Sequence, residues 1–600
     1  MVSGNYGKGF SISDIYQGGY SSLNPPSDSY MTAGSLGMTT DPRVANILQE
    51  VSSKLSSGTK NIEVEGIMPE KFDSIPKQHL KEVNRLAKLT GVDISLHGPL
   101  LEPSGIQERG YSEVEREIAQ RKVSEALFRS KELNPNGNIP VTFHSSNGIP
   151  GSQFIPDSIQ DGKTRYHKLI AINREDGRMI PLETEKQYTP GIAGPVEVRE
   201  LTPERRMKSL NITKWDNEIS QVLFQKERAD EILERNRPFI QHLILDIENG
   251  KINLQDLRNL SKEQYQAFQH YQNARVYLDD LHLQANNLFS KAYQFSNEDQ
   301  KKKLDEISKN FGDFILKSVD PKAPIPNPFV ESEAFQGLLH NLKNPEIAPE
   351  MFVPLEKFST EKSGQTFGKS AFSAYKEFGD NAPVLVIENP PAGGGLSTGE
   401  DIRNIVEESR KNFIEEAKKE GISEAQASKA AKKLIGATWD VGHINMLRKF
   451  GYTEKDIIRE TEKVAPYVKH LHLSDNFGFE HTELPMGMGN VPLKEIMDRL
   501  GEKGFEGKKI IEASSWWEHF KTPPFQETLE AVGSPIYSMK MSPYWSQSPG
   551  FQEGYFSGYG QMLPQINYET FGAGFSRLPS ELGGSVQGLG GGRMSGRSME

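Results

Sequence analysis

The sequence has no cysteine among its 600 residues. That absence excludes disulfides, thiol nucleophiles and any zinc or iron–sulfur site built on thiolates. A bound metal would have to rest on His, Asp and Glu, donors that suit zinc, manganese, iron or magnesium. Long apolar runs are missing as well. No stretch approaches the roughly 20 apolar residues of a membrane span, so no membrane partner is expected. The opening MVSGNYGKGFSISD lacks the basic and apolar regions of a secretory signal, which makes a cytoplasmic protein the expectation. Nor is there a basic excess: the formal net charge is −11. Wholesale nucleic-acid binding usually leaves a basic footprint, although a basic groove on one face is compatible with an acidic total.

What is present is a rhythm. From residue 33, short β-type runs alternate with amphipathic helical stretches: SLGMTT (35–40), NIEVEG (61–66), DISLHGP (93–99) and PVTFHSS (140–146). After an interruption it resumes with VLVIENP (384–390), IGATWDVGH (435–443), KHLHLSD (469–475) and KKIIEAS (508–514). Strand–helix alternation implies parallel pairing, and eight units close naturally into a (β/α)8 TIM barrel. An open doubly wound sheet is disfavoured, because the glycine fingerprint at its first strand–helix turn is absent.

One barrel needs roughly 250 residues, so other modules are implied. The expected organisation is an N-terminal arm (1–32), a first barrel half (33–150), a mainly helical insertion after the fourth strand (151–367), a second barrel half (368–532) and a Gly/aromatic-rich tail (533–600). Both extensions read as flexible from their Gly, Ser and Tyr content. Within the insertion, KLIAINREDGRMIPLE (168–183) reads as a β-hairpin turning at Asp176-Gly177. Ser261 to Gln264 form a capping-box pattern, followed by Phe268, Tyr271, Leu278, Leu281, Ala285 and Leu288 at helical spacing. A second helix runs through Leu304, Ile307, Phe311 and Phe314, and GKSAFSAYKEFGD (368–380) reads as the postponed barrel helix. The insertion and tail are candidate surfaces for a protein partner. Arg205, Arg206, Lys208, Arg235 and Arg237 are interspersed with acids and read as a solvated helix face.

The informative signal is where imidazoles and carboxylates fall. Of 13 histidines, His97, His144 and His472 close expected strands, and His443 and His481 lie just beyond strand ends. Glu388, Asp440 and Glu512 occupy comparable positions. The ends of different barrel strands converge at one rim, so these residues should meet. Buried acids and imidazoles are costly unless paired or metal-bound, and VLVIEN is the cleanest case: an apolar run ending in a carboxylate. Period-two alternation puts His470 and His472 on one strand face, with His472 nearer the rim and His470 left as a supporting or core residue. His519 and the histidines of the insertion (His167, His242, His270, His282, His340) lack this context and read as structural or exposed.

LHGP, FHSS, IEN, DVGH, HLSD and IIEAS together resemble the xylose-isomerase-like barrel superfamily, over 33–150 and 368–529. Two branches of it compete. Resemblance to endonuclease IV-type enzymes, which cut abasic DNA with three zinc ions, implies one zinc on His97, His144 and Glu388. A second would lie on bridging Glu388, Asp440, His472 and Glu512, and a third on His443, His481 and Glu483. Where that family has Asp-x-His, this chain has His481-Thr482-Glu483, which keeps one imidazole and one carboxylate. The Gly-rich PPAGGGLS (390–397) also looks like that family's loop. The tyrosine expected after HGP is Leu100, however, and the family's HPG is His144-Ser145-Ser146. LPMGMGNVPLKEIMDRL (484–500) looks more like the sugar isomerase and epimerase branch. That branch implies one Mn²⁺ or Mg²⁺ on Glu388, Asp440, His472 and Glu512, with Glu388 and Glu512 shuttling a proton and His443 touching a small sugar. The expectation is therefore a metal-dependent enzyme, a zinc phosphodiesterase acting on abasic DNA ahead of a sugar isomerase. A non-catalytic scaffold on a metal-binding barrel is the third class.

Overall fold

The computed structural model describes residues 33–44, 46–108, 110–154, 166–189, 197–252, 260–317, 325–501, 508–513, 516–517, 520, 523–531, 593–594 and 597–598. The arm (1–32), nearly all of the tail (533–600) and His519 lie outside the described residues.

Eight strands form one closed parallel barrel: β1 (Leu36–Thr39), β2 (Asn61–Glu65), β3 (Asp93–His97), β4 (Pro140–His144), β5 (Val384–Glu388), β6 (Ile435–Asp440), β7 (Val468–Leu473) and β8 (Lys509–Ile511). Each pairs with its neighbours in sequence order, and β8 closes onto β1. Each strand is followed by a helix: α1 (Ile47–Leu55), α2 (Lys77–Thr90), α3 (Glu113–Ser130), α4 (Leu355–Phe378), α5 (Gly399–Lys419), α6 (Glu454–Val464), α7 (Leu493–Leu500) and α8 (Phe525–Ala531). Side chains alternate across each strand. Ile62, Val64, Leu96, Val141, Phe143, Leu385, Ile387 and Trp439 are buried. The opposite face carries polar groups into the barrel: Thr142 Oγ1 lies 3.1 Å from Thr438 Oγ1, and Ser95 Oγ donates to Glu63 Oε2 at 2.6 Å. A buried polar layer is tolerated only when its members are hydrogen-bonded, as these are.

A second compact unit spans Tyr166–Pro354. It is narrower than the 151–367 expected from sequence. The barrel helix expected from 368 begins at Leu355, because Leu355, Phe358 and Phe367 carry its buried stripe back to the residue after Pro354. The expected hairpin is present as Tyr166–Asn173 paired with Met179–Glu183, with Gly177 at φ +71° in its turn. The Ser261/Gln264 capping box opens the helix Lys262–Phe295. That helix packs with Pro203–Arg235, Arg237–Glu248, Glu298–Lys317 and Pro328–Leu342 around Trp215, Ile219, Leu243, Leu278, Leu281, Phe335 and Leu339. Trp215 donates its indole N–H to the Leu342 carbonyl at 2.8 Å, so the buried ring leaves no donor unpaired. Among the described residues no helix is long and apolar enough to cross a membrane.

Candidate metal centre

The last rungs of the barrel ladder put the candidate residues side by side. In register, Glu65 of β2 faces His97 of β3, His144 of β4 faces Glu388 of β5, and Asp440 of β6 faces His472 of β7. Backbone bonds hold these ends level: Ser145 N–H donates to Glu388 O at 2.9 Å, Gly66 N–H to His97 O at 2.8 Å and Glu512 N–H to Leu473 O at 2.9 Å. The Asn389 side chain links β5 to β6 by accepting from Asp440 N–H (2.9 Å) and donating to Asp440 O (3.0 Å). Gly442, in the turn that carries His443, has no room for a side chain, since a Cβ there would lie 2.1 Å from Ser474 Oγ.

Glu388 is the centre. One carboxylate oxygen, Oε2, lies 3.1 Å from His97 Nε2 and 3.3 Å from His144 Nε2. The other, Oε1, lies 2.8 Å from His472 Nδ1, which is itself 2.9 Å from Glu512 Oε1. Asp440 takes the His443 N–H on Oδ1 at 2.7 Å, while among the described residues its buried Oδ2 has no hydrogen-bond partner. His443 and His481 meet Nε2 to Nε2 at 2.8 Å, with Glu483 Oε1 3.7 Å from His481. All nine residues singled out in the sequence thus lie at this one mouth. His97, His144, His443, His481, Glu483 and Glu512, with Glu65 and Leu100, line a cavity of about 260 Å³.

The loop bearing His481 and Glu483 is closed at its base by two backbone bonds between Asp475 and Leu484 (2.7 and 2.9 Å). The Asp475 carboxylate accepts N–H bonds from Asn476, Gly487, Gly489 and Val491. Glu483 adopts φ +44°, a conformation rare outside glycine, and such strain tends to sit at functional positions. Ser145 and Ser146, which depart from the family's HPG, donate their hydroxyls to Leu396 O (2.7 Å) and Gly395 O (2.5 Å). They thereby clamp the Gly-rich loop after β5.

Below the mouth lies a supporting residue that the sequence reading missed. Glu63 Oε1 sits 2.8 Å from His472 Nε2 and Glu63 Oε2 sits 2.9 Å from His470 Nε2. This carboxylate orients the ring that turns Nδ1 toward Glu388, the usual arrangement behind a ligating imidazole. The signal was available in NIEVEG: two acids two residues apart share a strand face, so Glu63 and Glu65 both had to point into the barrel.

The electrostatics follow from burial and crowding. Burial alone would raise the Glu63 carboxyl, but the charges of His472 and His470 hold it well below the usual range. Burial likewise works against Glu388, which His472 and His144 hold well below its ordinary value. Asp440, by contrast, is raised well above the carboxylate range by burial and by the charges of Glu512 and Glu388. Burial would lower His97, yet its bond to Glu388 and the charges of Glu65 and Glu388 take it up to about 10. His443 is pushed down to about 3 by burial. Its Nδ1 faces the Asn389 carbonyl at 2.8 Å, and a carbonyl only accepts, so Nδ1 carries the proton and Nε2 presents a lone pair. His97 also has its Nδ1 on the Gly98 carbonyl, at 3.0 Å, but its raised proton affinity leaves a proton on Nε2 as well, facing the Glu388 carboxylate at 3.1 Å.

These donors fit divalent ions. Ring nitrogens converge on the Glu388 carboxylate or, in the His443–His481 pair, on each other at hydrogen-bond distance, and among the described residues the buried Asp440 Oδ2 has no hydrogen-bond partner. A cation satisfies such acceptor-rich contacts, and the His, Asp and Glu set suits zinc or manganese. Four sets among the described residues bring one candidate ligand atom from each residue within 4.8 Å of the others, and two of them hold Glu388: His97, Glu388, His472 and Glu512, and Glu388, Asp440 and His443. The histidines of the second unit belong to none of the metal-capable groups among the described residues.

Residues 365–532 match the family model described as a xylose isomerase-like TIM barrel. A 105-residue stretch, 17% of this chain, is 27% identical to an uncharacterized protein of Methanocaldococcus jannaschii. It spans about a third (34%) of that relative's length. Among solved structures, a D-tagatose 3-epimerase-like protein is 12% identical, with 84% of this chain and 99% of that one covered at a TM-score of 0.35. An L-ribulose 3-epimerase is 9% identical, with 86% and 98% covered at a TM-score of 0.34.

Proposed function

We propose that this xylose isomerase-like barrel is a multinuclear metal-dependent phosphodiesterase, with abasic-site DNA as its substrate class. His97, His144, Glu388, Asp440, His443, His472, His481, Glu483 and Glu512 would hold the ions, with zinc the best match to this donor set. The observation that carries the reading is the placement of Glu388: two imidazoles approach one of its oxygens and a third approaches the other. A carboxylate so addressed is suited to bridge two ions, and the His443–His481 pair supplies a further position. A one-ion enzyme requires neither His97 and His144 together nor that pair. The choice of abasic DNA rests on the resemblance of the strand-end motifs to endonuclease IV-type enzymes.

Bound ions would supply Lewis-acid stabilisation of the charge that develops on phosphorus oxygens and on the leaving group. The chain's own residues do the rest. Glu63 holds the His472 ring in place, and the Asn389 carbonyl fixes the His443 tautomer. The loop closed by Asp475 and Leu484 keeps His481 and Glu483 at the rim. Leu100, Ile67 and Pro42 add apolar surface to the cavity lining.

A second reading, a single-metal sugar isomerase or epimerase, is favoured by a different observation. His97, Glu388, His472 and Glu512 can surround one ion, beneath a cavity whose 260 Å³ suits a small sugar. Metal analysis of freshly purified protein separates the two: about three zinc per chain supports the phosphodiesterase, and about one exchangeable Mn²⁺ or Mg²⁺ supports the isomerase. An abasic-site duplex incubated with zinc-loaded protein should be cleaved, and an intact duplex there overturns the first reading.

A further inference from the structure

We propose that a cavity under the Gly-rich loop after β5 binds one small monovalent cation, held by Glu356 and Asp401. The cavity measures about 30 Å³ and shares no lining residue with the one at the mouth. That volume admits one or two occupants the size of a water molecule. Its wall is built from Gly151 and Ser152 beyond β4, residues 393–398 of the loop, and the first turns of α4 and α5, which supply Glu356 and Asp401. Among the described residues no Lys, Arg or His lines it.

The observation that points to a ligand is on Glu356. Its Oε1 accepts the Ser152 N–H at 2.8 Å, while its buried Oε2 has no hydrogen-bond partner among the described residues. The carboxyl is almost wholly buried, and burial raises it against the pull of Ser152 and its own backbone, neither of them charged. Asp401 gives its Oδ2 to the Thr398 N–H (3.1 Å) and hydroxyl (2.6 Å), and the charges of Glu356 and Glu460 push it up further. Two carboxylates that act on each other in a buried space need a positive charge between them or must give up ionisation. The N-termini of α4 and α5 each supply about half a positive charge, which together offsets one of the two negative ones. One cation of unit charge offsets the other, whereas a water would satisfy Oε2 and leave the charge in place. The loop adds carbonyl oxygens: those of Gly393 and Gly394 pack so tightly on Gly151 that a Cβ there would lie 2.9 and 2.7 Å from them. Carboxylate and carbonyl oxygens suit a hard cation such as potassium. An occupant here would also steady the segment whose Ala392 N–H donates to His443 O at 3.2 Å.

The test follows thermal unfolding of wild type and Glu356→Gln in potassium, sodium or ammonium chloride against choline chloride at one ionic strength. Choline carries the same charge but is too large for the cavity. The pH is 8, above the value of about 7 to which burial raises Asp401. Wild type should gain about 2 °C or more, saturably, with the cation that fits. Glu356→Gln keeps an acceptor for the Ser152 N–H, so in choline it should unfold at or above the wild-type temperature, and it should show no cation-specific gain. Wild-type crystals soaked in rubidium chloride should give an anomalous peak beside Glu356. Equal melting of wild type in all four salts would overturn the site and leave the cavity to water. A cation-specific gain retained in full by Glu356→Gln, or crystals without a rubidium peak there, would overturn it too. Each of these readouts is independent of the ion count at the mouth, so the site stands or falls apart from the metal-centre reading.

Discussion

His443 and His481 face each other Nε2 to Nε2 at 2.8 Å, although 38 residues separate them and each ring is anchored from a different direction. His443 is tied by its Nδ1 to the Asn389 carbonyl, and His481 rides on the loop closed by Asp475 and Leu484. Burial lowers the affinity of both rings for protons, so the contact between them is poor in positive charge. An ion placed there meets two neutral imidazoles and the nearby Glu483.

The first prediction follows from that pair. His481→Ala should lower the metal content by about one ion per chain while leaving the ions around Glu388 in place, because the contacts of His481 with other candidate ligands are to His443 and Glu483. Substituting cobalt and recording its visible absorption would show one environment lost and the rest unchanged. Loss of every ion would contradict this separation.

Glu388→Gln should have a broader effect. The substitution removes the charge that His97, His144 and His472 share. Residues behind a metal ligand already cost 10–100-fold when changed, so replacing the central carboxylate should reduce turnover by more than about 100-fold. Activity within a few-fold of wild type would show that the reaction is organised elsewhere.

Glu63→Gln tests the supporting layer. The amide keeps an acceptor for Ser95 but gives up the charge that faces His470 and His472. Metal affinity should fall about 10–100-fold, with full occupancy restored at high metal concentration, since the ligands themselves remain. Unchanged affinity would reduce Glu63 to a packing role.

A fourth prediction concerns pH and lies away from the mouth. Asp401 caps α5 by accepting the Thr398 N–H at 3.1 Å. Burial raises its carboxyl to about 7, against the pull of the Thr398 hydroxyl and with the push of Glu356 and Glu460. A group raised in the folded state contributes stability that is complete below its unfolded value near 4 and is lost as pH rises through about 7. Above pH 7 the ionised form is therefore a cost. Asp401→Asn keeps the acceptor and removes that cost, so its Tm should exceed wild type at pH 8 and lose the advantage at pH 5. Each kcal/mol recovered corresponds to about 2–4 °C. Thermal scans at the two pH values decide it, and an equal difference at both would exclude the ionisation of Asp401 as the cause.

The sequence by itself determined the barrel and the roster of chemistry-bearing strand ends. Eight β-type runs alternating with amphipathic stretches have few ways to bury their apolar faces, and a parallel barrel is the closed one. An acid or imidazole at the end of an apolar run, as in VLVIEN, is legible because strand position alone fixes the rim at which it emerges. Period two separated His472 from His470 for the same reason, and the same rule applied to NIEVEG would have found Glu63 and Glu65. The tertiary structure decided what no local pattern carries. Glu388 meets His97 across 291 residues only because β5 pairs with β4 and β4 with β3, and which oxygen faces which nitrogen depends on the register of those strands. The His443 tautomer depends on a carbonyl delivered from β5, and the start of α4 at Leu355 depends on the packing of its buried stripe. These are relations between distant segments, set by barrel closure rather than by any residue's own preference.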